Sequence, residues 1–438
     1  MATLPLLRGN SISLEEALTD DDNILHRLDY PQKQRDFWSY FISHKREIEA
    51  LVSFHLRAKY CQVVDESDWL FGSYNVCIPV RINPPSEKQV LVRIPLPFKI
   101  GEENNPGNVD EKLRSEVATY IWINQNCPTV PIPSLYGFAF HNGKTDKTRR
   151  QTFFSDLSKI ILSLNRTKLP RIGSLTLDNE GFINLKNRPL TLRLQTLENE
   201  GIPTIPREST YQSVEAYILD LLQCHDNRIY YQPNAIHDTS DGQEQLAALT
   251  MMRGLLHHFI SREYRNGPYV LTLTDLHPSN IFVDDEWHIT ALIDLEWACS
   301  FPIELQTPPY WLSGRPIDDI EHGEHLDTFT AIMTEFIDAF EQQETQLQDS
   351  HTFQAQIMRE CWNRGSFWYF QAMHSPKGLL RVFNEHIQRR FCEEHCTQRV
   401  FDRTVSPYWC IGAEKIIQAK VEEEEAYKDR LRKRFGIS

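Results

Sequence analysis

The sequence holds no run of apolar residues near the roughly eighteen that a membrane-crossing helix needs. Nor does it open with a basic stretch and an apolar core, so neither a membrane span nor a signal peptide is expected. An excess of positive charge is also missing. Forty-six Lys and Arg stand against sixty Asp and Glu, a formal charge of −14, which argues against nucleic acid or an anionic membrane as partner. A phosphate-bearing small ligand would need a local basic spot. Paired C-x-x-C spacing is absent too, and nine cysteines, an odd number, fit reduced thiols in a cytoplasmic setting. Cys392, His395 and Cys396 have metal-ligand residue types, but no second pair follows to close a four-ligand site, and helix-face packing is the better reading. There are no internal repeats and no low-complexity segments.

What is present is a chain of 438 residues with 41% hydrophobic content, enough to bury a large core divided between two lobes. Residues 1–34 are polar, with an acidic run at Asp20, Asp21 and Asp22, and read as a loose N-terminal extension. Over 36–56 the apolar spacing of Phe37, Phe41, Ile48, Leu51 and Val52, continued by His55, predicts an amphipathic helix. The pattern then changes to strands at 61–64, 69–82 and 88–95, the last two joined by a proline-bearing turn at 83–87, which implies antiparallel sheet. Gly72 falls in the turn between the first two strands. It is either a plain turn glycine or one that lets backbone N–H groups approach a phosphate.

A helix follows over 109–124, with Leu113, Val117, Tyr120 and Ile121 as its expected buried stripe and Glu116 beside it. Arg93 on the preceding strand and Glu116 are either solvated surface charges or the basic–acidic pair with which a kinase holds nucleotide phosphates. Residues 131–140 read as a further strand, 156–165, 213–224 and 244–261 as helices, and 326–343, 353–374, 379–395 and 413–434 as a helical C-terminal region. The proline-braced aromatic loop at 307–312 either walls a pocket or packs inside. Together these elements predict an α+β fold of two lobes: an N-lobe over 35–140 with a small antiparallel sheet, and a large, mostly helical C-lobe over 141–438.

The stretch 270–297 carries the chemistry. It reads as strand, polar turn, strand, short turn and strand, with Asp275, Asn280 and Asp294 at the strand ends and Ile281, Val283, Leu292 and Ile293 as core anchors. The D-x-x-x-x-N spacing, with an Asp fourteen residues further on, is that of a kinase-type catalytic loop and its metal-binding Asp. Phosphoryl transfer needs one carboxylate near the attacking hydroxyl and oxygen ligands for Mg²⁺. Asp275 suits the first role, Asn280 and Asp294 the second. Glu296 would share the face of Asp294 if the strand continued.

The motifs Phe71-Gly-Ser-Tyr-Asn-Val-Cys77, Val92-Arg-Ile-Pro95, Thr274-Asp-Leu-His-Pro-Ser-Asn-Ile281, Ile293-Asp-Leu-Glu-Trp297 and Gly365-Ser-Phe-Trp-Tyr369 resemble the aminoglycoside phosphotransferase/choline-kinase-like family. The likeness is to its fungal members of unassigned substrate in particular. It implies a protein-kinase-like fold with ATP and Mg²⁺ between the lobes and a small-molecule hydroxyl as substrate. It also implies Asp275 as catalytic base, Asn280 and Asp294 as metal ligands, Gly72 and Ser73 in the phosphate-side turn, and Arg93 in the place of the nucleotide-binding Lys with Glu116 as its partner.

Two departures from the family pattern stand out. Leu273 replaces the His that usually braces the catalytic loop, and 141–155 supplies about fifteen mostly polar residues where the family places an apolar strand and the adenine hinge. These departures keep a second expectation open, a kinase-like module of weak or no catalysis that binds a ligand or a protein. An acidic pocket would suit a cationic substrate, for which Asp318, Asp319 and Glu321 are candidates.

Overall fold

The computed structural model describes residues 3–56, 58–83, 88–132, 147–347, 354–392 and 398–437. Most of the expected strand at 131–140, most of the turn at 83–87, and His395 and Cys396 lie outside the described residues.

The N-terminal segment is structured rather than a loose cap. Strands β1 (Thr3–Pro5) and β2 (Ser11–Ser13) pair antiparallel, and Ser13 caps helix α1 (Leu14–Thr19) through a reciprocal capping box with Glu16. Helix α2 (Ile24–Ser43) follows, with Pro31 inside it. Ile12, Ala17, Ile24 and Leu28 pack on Tyr427, Leu431 and Phe435 at the far end of the chain, and the Ile24 N–H donates to Tyr427 Oη at 2.8 Å. The partner lies some four hundred residues away, so local pattern could not show it.

Helix α3 (Lys45–Leu56) buries only Ile48 and Val52, while Leu51 and His55 are exposed, a narrower stripe than expected. The small sheet comprises β3 (Cys61–Val63), β4 (Leu70–Phe71), β5 (Asn75–Ile82) and β6 (Gln89–Pro95). Central β5 pairs antiparallel with the other three, and Cys77 stands opposite Arg93. The turn at 72–74 splits what reads in sequence as one strand. Val76, Ile78 and Val80 form the sheet's core with Trp69 and Phe98, and α2 covers it with Tyr30, Phe37, Trp38 and Phe41. Thus α2 starts on the C-terminal helix and ends on the small sheet.

Helix α4 (Asn108–Asn126) departs most instructively from expectation. Val117 is exposed, and the buried face mixes polar Glu111, Lys112, Ser115 and Thr119 with apolar Ala118, Trp122, Ile123 and the expected Tyr120. Helix α5 (Lys147–Arg166) begins nine residues earlier than expected, so 147–155 are helical where the family resemblance implies strand and hinge.

The larger lobe continues with β7 (Ser174–Leu177), β8 (Ile183–Asn187), α6 (Leu192–Asn199), α7 (Val214–Tyr231) and α8 (Thr239–Phe259). Strands β9 (Tyr269–Leu273) and β12 (Ala298–Pro302) pair, and β10 (Ile281–Val283) pairs with β11 (Ile289–Leu292), all antiparallel. Helices α9 (Glu324–Gln346), α10 (Gln354–Arg364), α11 (Ser366–Met373), α12 (Leu379–Val382), α13 (Gln398–Val405) and α14 (Ala413–Arg434) complete it. The single helix expected over 353–374 is broken at Gly365. Its φ is +84°, and a Cβ there would meet the Arg390 side chain at 2.8 Å. The result is the α+β, two-lobed architecture anticipated from the sequence. Among the described residues no helix is long and apolar enough to cross a membrane.

One buried ion network locks α4 and α6 together. Arg188, 2% exposed, donates to Glu111 of α4 at 2.8 and 3.0 Å and to Glu198 of α6 at 2.5 and 3.1 Å. Removing the guanidinium would leave buried Glu111 with Arg207 alone and buried Glu198 with only the neutral donors Thr204 and Asn108. Arg188→Ala is expected to lower unfolding stability by about 3–5 kcal/mol, measured by urea denaturation. A loss below about 1 kcal/mol, the range of an exposed ion pair, would contradict this role.

Candidate active site

The ends of β9, β10 and β11 meet α4 and β6 in a cluster of charges. The turn after β9 places Asp275, and the Asn280 side-chain amide donates back to its backbone O at 2.9 Å and to its Oδ2 at 3.3 Å. Leu273, in place of the expected His, packs against the core. The loop is braced by other means: Thr274 donates to the Trp297 carbonyl from both its N–H and its hydroxyl, and the Trp297 indole donates to Gln195 of α6 at 2.7 Å. The Ile293 N–H donates to the Asn280 carbonyl at 3.0 Å, tying the two halves of the loop.

Asp294 has φ +59°, in the left-handed region that few non-glycine residues adopt. The chain turns there, because β11 has already ended at Leu292. Asp294 and Glu296 therefore converge on one guanidinium through a turn, where the sequence suggested strand alternation. That guanidinium is Arg93. It reaches Glu116 Oε1 at 2.7 Å, Asp294 Oδ1 at 2.6 Å and Glu296 Oε1 at 2.9 Å. The expected Arg93–Glu116 pair is brought together, and two further carboxylates join it.

The sequence reading passed over Lys112. Its ammonium is fully buried, 2.9 Å from Glu296 Oε1 and 3.0 Å from Asn75 Oδ1, and lies over the Trp297 ring at 5.4 Å. Glu296 is likewise fully buried, and its Oε2 has no hydrogen-bond partner among the described residues. Glu296 thus anchors both cations. A Lys and a Glu one helical turn apart, Lys112 and Glu116, on a helix whose apolar stripe is incomplete, was the signal in the sequence.

Gly72 and Ser73 sit at the edge of this arrangement. The Gly72 N–H donates to the Asn75 carbonyl at 2.9 Å, so it is spent inside the turn, and the Ser73 hydroxyl accepts from Arg8 at 3.1 Å.

Four carboxylates, Glu116, Asp275, Asp294 and Glu296, face two cations, Arg93 and Lys112. The imbalance shows in their acidity. Burial, reinforced by Glu296 and Asp294, pushes the Asp275 carboxyl up to about 7. Burial and Glu296 push Glu116 up to about 7 and raise Asp294 as well, against the pull of Arg93. For Glu296 burial also acts upward, but Lys112 and Arg93 outweigh it and hold the group below the usual carboxylate range.

Beyond Asp275 a cavity of about 210 Å³ opens into the larger lobe, walled in part by Pro308, Tyr310, Trp311 and Phe370. The aromatic loop at 307–312 does wall a pocket. The acidic candidates do not line it: Asp319 and Glu321 pair with Arg381 on the exposed surface. Among the described residues no group of three or more His, Cys, Asp or Glu is arranged to hold a metal.

No family model matches the sequence, and no curated protein matches it. Among solved structures the chain is similar to an ADP-bound aminoglycoside phosphotransferase APH(2'')-Ib, at 10% identity and TM-score 0.38, over 86% of this chain and 97% of that one. It is similar to a macrolide 2'-phosphotransferase type I, at 10% and 0.37, over 81% and 98%. A Plasmodium vivax ethanolamine kinase aligns at 13% and 0.34, over 82% and 84%.

The raised acidity constant of Asp275 has a thermodynamic sign. The folded state keeps a proton up to about pH 7 that the unfolded chain, with its ordinary value of 3.8, has already released. This carboxyl therefore lowers stability as pH rises through that window and adds nothing further above it. Asp275→Asn cannot titrate. The variant is expected to gain on the wild type between pH 4.5 and 8 in chemical denaturation without divalent cations, and a gap that stays constant or shrinks would contradict the assignment.

Proposed function

We propose that the chain is an ATP- and Mg²⁺-dependent phosphotransferase acting on a hydroxyl of a small molecule. The observation that carries this reading is the convergence of Glu116, Asp294 and Glu296 on Arg93 beside the Asp275–Asn280 turn. That set joins the small sheet, α4 and the loop, which supports a role in holding phosphate.

Asp275 orients the attacking hydroxyl and accepts its proton. An acidity near 7 keeps it close to the balance point for a general base at neutral pH. Arg93 holds nucleotide phosphate: its guanidinium has five N–H donors, three of which are directed at carboxylates, leaving two. Glu116 and Glu296 fix the plane of that guanidinium, and Lys112 keeps Glu296 ionised. The residues suit a hard divalent cation, because Asn280 and Asp294 offer oxygen donors and the cluster carries two more carboxylates than cations. When bound there, Mg²⁺ supplies neutralisation of phosphate charge. Gly72 and Ser73 form the turn that closes over the phosphates, with Ser73 as the candidate donor, since the Gly72 N–H is engaged within the turn. The buried thiols Cys61, Cys224, Cys299 and Cys361 suit a cytoplasmic setting.

A second reading, a nucleotide-free module that binds a ligand or partner, is favoured by one observation. Residues 147–155 are already the first turns of α5, where the family resemblance implies strand and adenine hinge. Thermal unfolding with ATP and Mg²⁺ separates the two. On the phosphotransferase reading, nucleotide at a hundred times its dissociation constant adds about 2.7 kcal/mol of stability. No shift at millimolar nucleotide would leave the second reading. Asp275→Ala is expected to keep nucleotide binding and to lower turnover roughly 10²- to 10⁴-fold, and equal loss of both would mean that Asp275 is structural.

A further inference from the structure

The cavity beside Asp275 is mostly apolar and aromatic, and its charged lining is sparse. The titratable side chains that face it are Asp275, Arg193, His374 and Tyr310. Burial, with Arg193 nearby, pushes His374 down to about 4, so it is neutral at pH 7. Arg193 is the cation of the lining, and Asp275 the carboxylate. The acids that would have made the pocket suit an amine are turned to the surface around Arg381.

Among the described residues Arg193 forms no hydrogen bond and no ion pair; it acts on Asp275, Tyr74 and His374 only through its field. It occupies the first turn of α6, where the amide dipoles already concentrate positive charge and a basic side chain is unfavourable. A guanidinium kept at the wrong end of a helix, unpaired, and on the wall of a cavity is placed for something that enters the cavity. Guanidinium forks match carboxylates in two parallel hydrogen bonds. A single guanidinium beside the Asp275 carboxylate offers one fork and no surplus of positive charge, which favours a carboxylate over a doubly charged phosphate ester.

We propose that the substrate is a hydroxy carboxylic acid with an apolar or aromatic body. Its carboxylate pairs with Arg193, its body lies against Trp311 and Phe370, and its hydroxyl is presented to Asp275. The inference rests on the phosphotransferase reading for the role of Asp275. Given that reading the step is balanced: the hydroxyl oxygen forms the new P–O bond, the bond from the γ-phosphorus to the bridging oxygen breaks, ADP leaves, and the hydroxyl proton passes to Asp275.

The test uses the full chain and 2-hydroxy acids from lactate to phenyllactate, each beside its amide and the matching amino alcohol. Binding is followed by ligand-observed NMR, and phosphate-ester formation from ATP and Mg²⁺ by ³¹P NMR. The acids are expected to bind at least about tenfold tighter than their amides, with the aromatic acid tightest. Arg193→Gln should erase that preference and Arg193→Lys restore part of it. The exposed position of Arg193 leaves folding intact in both variants. Tightest binding by the amino alcohols, no preference for acids, no binding by any member of the panel, or loss of nucleotide binding in Arg193→Gln in place of loss of acid binding would each overturn the proposal. The two readings fail separately. Acids that bind through Arg193 without forming an ester leave the anion site standing and refute the phosphotransferase, whereas esters formed on the amino alcohols alone do the reverse.

Discussion

One guanidinium holds the centre of this protein together. Arg93 leaves the small sheet and meets a carboxylate from α4 and two from the turn after β11, so the strand, the helix and the loop are positioned by a single planar group. Lys112 shares the load on Glu296. Together the two cations keep a fully buried carboxylate ionised against its desolvation penalty. Arginine suits this position better than lysine would, since its fork addresses several acceptors at fixed angles and cannot lose its proton.

The same electrostatics explain why α4 looks unlike an ordinary surface helix. It is pinned at its N-terminal half by Arg188, through Glu111, and one turn later by the Arg93 cluster. Its first half therefore buries Glu111, Lys112 and Ser115 while apolar Val117 faces water, and only its second half seats Tyr120, Trp122 and Ile123 in the core. Local apolar periodicity describes helices that are held by hydrophobic burial; ion pairs hold the first half of this one.

The legibility of the chain divides along that line. Elements whose apolar residues repeat at a simple period were readable: β6, α7, α8 and α14 lie close to where the pattern puts them. So was the spacing of Asp275, Asn280 and Asp294, because a loop between two short strands keeps its residues at fixed offsets. Lys112 and the inward turn of Glu296 were not readable, since they depend on which faces two distant segments present to each other. The packing of the N-terminal segment was hidden for the same reason: its apolar residues are too few to form a core alone and are completed only by α14. Arg193, on the cavity wall, lies between the helices expected at 156–165 and 213–224, where no apolar period marks an element.

Helix α2 links these regions mechanically. Its first turns are seated with Tyr427 and Leu431, and its last turns cover the small sheet with Trp38 and Phe41. Twenty residues of helix span about 30 Å, so α2 acts as a strut clamped at both ends. Parting the lobes would load that strut in bending, and Pro31, which removes one backbone hydrogen bond from its interior, is where it would yield first. Any movement of the small sheet against the larger lobe would thus be felt where α2 packs on the C-terminal helix.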